Sequence, residues 1–147
     1  CGINNRNFIN IVNSDGDYLN SKFKNLTVAC KLCQNSLFMD RYLISYSGED
    51  KLVYLPDISQ IKLNTMLYEM ANIMKEKKNN DDVIAVKNLY SSLLYNNEVI
   101  NKMYDIDISN PAVYNYLDKT KSINYKIISN LKLLTSLNDI HKKLLNL

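Results

Sequence analysis

The stretch that sets the expected fold is residues 17–46, DYLNSKFKNLTVACKLCQNSLFMDRYLISY. Its apolar residues recur at alternating steps of four and three, at Leu19, Phe23, Leu26, Cys30, Cys33 and Leu37. Side chains at this spacing share one face of an α-helix. Asp17 is a suitable N-cap, and Gly48 suits the left-handed position that ends a helix. The sequence therefore predicts one long helix from residue 18 to about residue 46.

Helical signals continue along the rest of the chain. A capping-box spacing at 57–60 and a methionine-rich stripe predict a helix that ends at about Lys78. Further stripes predict helices over 82–104, 111–119 and from about Ser122 nearly to the C-terminus. The extended run 51–55 has no evident partner strand and is interpreted as a connector. We therefore expect an all-α fold, a single four- to five-helix bundle over 17–147 with residues 1–16 as an arm or short helix.

Composition and charge exclude several classes of protein. The chain has 147 residues, 46% of them hydrophobic and 22% charged, as in an ordinary globular domain. A net charge of +3 is too small to indicate nucleic-acid binding. No apolar run approaches the roughly 18 residues of a transmembrane helix. These features predict a globular protein with neither a nucleic-acid partner nor a transmembrane segment.

The composition is rich in Asn, Lys, Ile and Tyr and poor in Gly, with 3 residues, and Pro, with 2. The abundant residues have A/T-dominated codons, which indicates an AT-rich coding genome. In composition the chain resembles proteins of large AT-rich DNA viruses such as poxviruses. Those viruses often use small helical domains to block host signalling, so the resemblance implies a host-modulating viral protein in the host cytoplasm. It covers composition only and assigns no residue a role.

The cysteines form the one motif-like signal, Cys30-Lys31-Leu32-Cys33. A CxxC pair can bind zinc or form a redox dithiol, and a complete Cys3His ligand set is available in Cys1, Cys30, Cys33 and His141. The motif resembles the CxxC of flavin-linked sulfhydryl oxidases. Those enzymes hold their flavin with histidines and a tryptophan, whereas this chain has 1 His and no Trp, so neither that activity nor a flavin is predicted. Because both cysteines fall on the predicted core stripe, buried packing is the favoured interpretation, with metal and redox roles as alternatives.

Catalytic residues are scarce. A nucleophilic triad would depend entirely on His141, which lies on the stripe of its own predicted helix. Three glycines are too few and too scattered for a phosphate-binding loop. We therefore predict that the chain is not an enzyme and needs no cofactor.

Tyrosine is unusually frequent, with 11 residues, and tyrosine is enriched at protein interfaces. Seven tyrosines fall off the predicted core stripes, Tyr54 in the connector and six others: Tyr42, Tyr46, Tyr68, Tyr95, Tyr114 and Tyr125. The six fall outside the connector. They are the candidate partner-binding residues of a non-enzymatic interaction or regulatory domain that binds a protein partner, or a second copy of itself, through a helical surface or groove. AT-rich coding is the alternative explanation for the tyrosines.

The first residue is a cysteine and not an initiator methionine. A processed lipoprotein begins in this way, so a secreted or surface-anchored protein modified at Cys1 is an alternative. The odd cysteine count is not a disulfide framework and favours a reducing, intracellular location.

Overall fold

The fold is mixed α/β, and the prediction of an all-α bundle is wrong. The computed structural model describes residues 1–39, 49–76, 79–111, 113–120 and 123–145. Four strands form two antiparallel ribbons: β1 (Ile9–Asn13) with β2 (Leu26–Cys30), and β3 (Lys51–Tyr54) with β4 (Leu131–Leu134). The α-helices are α1 (Lys31–Leu37), α2 (Gln60–Glu76), α3 (Asn80–Tyr95), α4 (Asn97–Tyr104), α5 (Val113–Thr120), α6 (Tyr125–Ile128) and α7 (Leu137–Leu144).

The first half of the predicted 18–46 helix is a β-hairpin arm and a loop. Ile11 pairs with Val28 in the β1–β2 register, and the helix α1 begins only at Lys31. The turn after β1 contains Gly16 at φ +77°, a backbone conformation that glycine adopts without strain. Residues 1–16, predicted as an arm or short helix, hold a 3-10 turn at Arg6–Phe8 and strand β1.

The β3–β4 ribbon lies between two hydrophobic clusters. Leu52 and its cross-strand partner Leu133 face one cluster, whereas Val53 and Leu134 face the other. Both faces of the β3–β4 ribbon are therefore buried. Strands buried on both faces have nearly continuous apolar sequences. The interpretation of 51–55 as a partnerless connector is wrong because its partner strand lies far away in the sequence, at 131–134.

Side-chain amides complete the outer edges of this ribbon. On the β3 edge, the Asn97 amide accepts from the Tyr54 backbone N–H at 2.9 Å and donates to the Leu52 carbonyl at 2.6 Å. On the β4 edge, Gln60 accepts from the Leu133 N–H at 2.8 Å and donates to the Leu133 carbonyl at 2.9 Å. Each amide substitutes for a missing neighbouring strand.

The central helices follow the sequence prediction most closely. The helix predicted to end near residue 78 is α2, which begins at Gln60, and the short helix predicted over 111–119 is α5. The single helix predicted over 82–104 is instead two helices, α3 and α4. The break lies at Asn97, whose buried side-chain amide forms hydrogen bonds with the backbone of β3.

The predicted C-terminal helix is broken into α6, β4 and α7. Ser136 is the N-cap of α7, and its backbone N–H donates to the fully buried Asp50 carboxylate at 2.7 Å. Ile140 and Leu144 then bury one face of α7 in the first cluster, beside α2. Within the described part of the chain, no helix is both long enough and apolar enough to cross a membrane.

Candidate metal centre

Three cysteines converge where the hairpin meets helix α1. The Sγ atoms of Cys1, Cys30 and Cys33 all lie within 4.8 Å of one another, and those of Cys1 and Cys30 are 3.1 Å apart. All three are free thiols. In a tetrahedral zinc–thiolate site with Zn–S bonds of about 2.3 Å, neighbouring sulfurs lie roughly 3.8 Å apart. The three sulfurs are thus close to the spacing that a single metal ion requires.

Local structure explains how Cys30 and Cys33 reach this position. Cys30 ends strand β2 in an extended conformation and is the N-cap of α1, so its sulfur accepts a hydrogen bond from the Cys33 backbone N–H at 3.3 Å. Cys33 lies one helical turn later and therefore projects toward the same point. The CxxC pair begins the helix, and its predicted place in the middle of a helix is wrong.

Helix α2 supports the cluster from outside. The Asn64 side-chain amide, which is almost completely buried, donates to the Cys33 sulfur at 3.4 Å. Thr65 donates its hydroxyl hydrogen to the Cys1 carbonyl at 3.1 Å. Outer contacts of this kind orient metal ligands. Sequence analysis did not select Asn64, although a polar residue next to Leu63 on the buried face of α2 was a usable signal.

The environment of Cys30 disfavours a reactive thiolate. Burial raises the pKa of the Cys30 thiol, and the neighbouring Cys33 raises it further against the lowering effect of backbone N–H donors. Redox-active cysteines have a lowered pKa in an electropositive, partly exposed setting. Cys30 is instead buried beside two other sulfurs, an arrangement in which a soft divalent cation balances the negative charge of thiolates.

His141 is not part of the thiol cluster. It lies half-buried on α7, whereas the group of ligand-bearing side chains found among the described residues contains Cys1, Cys30 and Cys33. The structure therefore brings together three members of the predicted Cys3His set. A fourth ligand to a tetrahedral ion would come from another donor, such as water or a residue outside the described part.

The six candidate tyrosines do not share one environment. Tyr42 and Tyr46 lie outside the described residues. Tyr68 on α2 is half-buried, packs edge-to-face on Phe8 and accepts a hydrogen bond from Asn5. Tyr114 on α5 packs against the second hydrophobic cluster. Tyr95 and Tyr125 are exposed, at the end of α3 and the start of α6.

A separate apolar groove of about 790 Å³ runs between α2 and α3. Its floor contains Met66 and Met70 from α2 and Val86 and Leu89 from α3, and its charged lining residues are Lys62, Glu69 and Asp82. The methionine-rich stripe of α2 belongs to the core as predicted, since Met70 is buried in the first hydrophobic cluster and Met66 packs against it; both also line this groove.

Comparison with known proteins finds one informative similarity. The chain is 27% identical over 141 residues to the Type 4 apparatus protein DotN of Legionella pneumophila. The aligned region covers 92% of this chain and 65% of DotN, so the chain spans a little under two thirds of the length of that protein. No protein-family model matches the chain.

This similarity corrects one expectation and agrees with another. The similar protein is bacterial, so the prediction of a viral, host-modulating protein from composition is wrong. An AT-rich coding bias does not identify the kind of organism. A protein that is part of an apparatus has protein partners, which agrees with the predicted interaction role.

Proposed function

We propose that this chain is a non-enzymatic interaction component of a multiprotein apparatus, with a thiolate-bound zinc ion that stabilises its hairpin. The observation that carries the assembly role is the similarity to DotN, a Type 4 apparatus protein, over 92% of the chain. The thiol cluster supports a structural role for the metal, since it joins the N-terminus, the hairpin and α1 at one point. Structural zinc sites contribute directly to folding stability.

The groove between α2 and α3 provides the surface for a partner in this proposal. The groove lies between two helices, and an amphipathic helix fits such a groove with its apolar face. Asp82, with Glu69, places negative charge in the groove lining, and Lys62 lies near the start of α2. The occupant we infer is a partner helix whose basic residues lie over the two carboxylates.

A matched pair of substitutions on one helix tests this role. Leu89, in the groove, and Ile84, on the same helix outside the groove lining, are 45% and 55% exposed. Either can become glutamate without burying a charge. We expect the tagged wild-type chain and I84E to elute from native cell extracts in a large assembly that contains other Type 4 apparatus proteins. L89E should elute as the free protein.

Two results would contradict the proposal. Elution of the wild-type chain at its own mass of 17.0 kDa would argue against the assembly role. Assembly of L89E at the wild-type level would leave the assembly role intact and would exclude the groove as its binding surface.

A further inference from the structure

The loop between β1 and β2 projects two large apolar side chains into solvent. Leu19 is 92% exposed and Phe23 is 91% exposed, so each has almost no neighbour within the described part of the protein. Below them, the cross-strand pair Ile11 and Val28 is also exposed. A folded chain gains nothing by holding such side chains in water, and exposed apolar groups in contiguous patches mark interaction sites.

Hydrogen bonds fix the shape of this loop. The Asn13 side-chain amide donates to the Asp17 carbonyl at 2.7 Å and to the Asn20 carbonyl at 2.9 Å. From the 3-10 turn that precedes β2, the Asn25 amide donates to the Asn20 carbonyl at 2.7 Å and to the Asp15 carboxylate at 2.9 Å. The apolar pair is therefore presented by a pre-organised loop, which lowers the entropy lost on binding.

Charged residues around the loop are arranged unequally. Lys22 and Lys24 are exposed on either side of Phe23. The Asp15 carboxylate accepts hydrogen bonds from the Asp17 N–H and from the side-chain amides of Asn20 and Asn25. Asp17 accepts from the Leu19 N–H. Both carboxylates are exposed but accept hydrogen bonds from within the loop, whereas the two exposed lysines flank the exposed ring of Phe23 in the sequence.

The form of this surface suits a lipid bilayer better than a protein. A protein partner needs a shaped pocket for each projecting side chain, whereas a bilayer interface accepts apolar side chains without one. Lysines beside an inserted aromatic residue extend their ammonium groups to the phosphates, and anionic lipids attract them.

We propose that the β1–β2 loop docks on an anionic phospholipid surface, with Leu19 and Phe23 inserted and Lys22 and Lys24 at the level of the phosphates. This inference goes beyond the assembly role and does not depend on it. No residue of the β1–β2 loop is among the lining residues of the α2–α3 groove, so one protein can use both surfaces.

The chain contains no tryptophan, so F23W introduces a single fluorescent reporter. We expect its emission to shift to shorter wavelength with vesicles of phosphatidylcholine and phosphatidylglycerol, and to be quenched by brominated acyl chains. Each of K22E and K24E in the F23W background should weaken partitioning by about fivefold or more at low salt. L19S should weaken it without changing the salt dependence. V99W, at an exposed position of α4, is the control and should not shift.

Several outcomes would overturn the inference. One is an unshifted F23W spectrum with anionic vesicles, and another is equal binding to pure phosphatidylcholine. A blue shift that appears without vesicles as protein concentration rises, with a dimer in analytical ultracentrifugation, would assign the loop to contact with a second copy. A blue shift on adding a purified protein partner, with no shift on adding vesicles, would assign the loop to contact with that protein.

Discussion

Asn97 shows how one residue can decide the local fold. It is a polar interruption in the predicted helix 82–104, and its buried amide bonds both a donor and an acceptor of β3. A buried backbone group without a partner is costly, so the chain ends one helix at Tyr95 and starts another at Asn97. The sequence pattern shows that Asn97 interrupts the apolar stripe, but it does not show that the Asn97 side chain forms hydrogen bonds with strand β3.

We predict that N97A lowers the free energy of unfolding by roughly 2–4 kcal/mol, because the Tyr54 N–H and the Leu52 carbonyl lose their partner in a buried site. Urea unfolding followed by circular dichroism measures the change. N96A, at the exposed neighbouring position, should change it by less than about 0.5 kcal/mol. Equal effects for the two variants would argue against this function of Asn97.

At the scale of elements, the β1–β2 hairpin is where sequence reasoning failed. The steps between Leu19 and Leu37 fit a helix numerically, yet β2 contains the β-branched residues Thr27 and Val28, which favour strands. Two of the residues expected in the core, Leu19 and Phe23, are exposed because they lie in the loop between the strands. The turn-forming residues Asp15 and Gly16 determined the local structure more strongly than the helical spacing of the apolar residues did.

Asp15 gives the hairpin loop a testable pH dependence. Hydrogen bonds from the Asp17 N–H and from Asn25 and Asn20 lower its pKa below the ordinary value of 3.8. A lowered folded-state pKa contributes stability above about pH 4 and loses it as pH falls through the folded-state pKa. The loop should therefore keep its structure to a lower pH than an ordinary aspartate would allow.

NMR measures this directly through the side-chain amide signals of Asn20 and Asn25. We expect their pH midpoint to lie below 3.8, the ordinary value for an aspartate. In D15N the midpoint should disappear. A midpoint at or above 3.8 would show that the loop hydrogen bonds do not form in solution.

At the scale of the whole molecule, the two ribbons have different roles. The β3–β4 ribbon divides the interior, with one hydrophobic cluster on each face. The sequence shows both of its strands as short apolar runs but contains no local signal for pairing residues this far apart. The central helix α2 was predictable from its stripe and cap, because its structure depends on local spacing.

The candidate metal centre was also predictable in part, because two of its three cysteines form a local sequence motif. The CxxC pair is a local motif, and arithmetic on the few available ligands selected Cys1. It also selected His141, since composition carries no information about distance. The structure shows why Cys1 is part of the thiol cluster: the β1–β2 hairpin brings Cys30 back beside the N-terminal residue. Asn64 of helix α2 also contacts this cluster, through the Cys33 sulfur.

Native mass spectrometry of the purified protein, with zinc quantified in the same preparation, shows whether the thiol cluster holds a metal ion. We predict one zinc ion per chain, lost in C30S and in C33S and retained in L37A, a control at an exposed position of α1. A metal-free wild-type protein with three titratable thiols, or one with a Cys1–Cys30 disulfide and no zinc, would exclude the proposed zinc site.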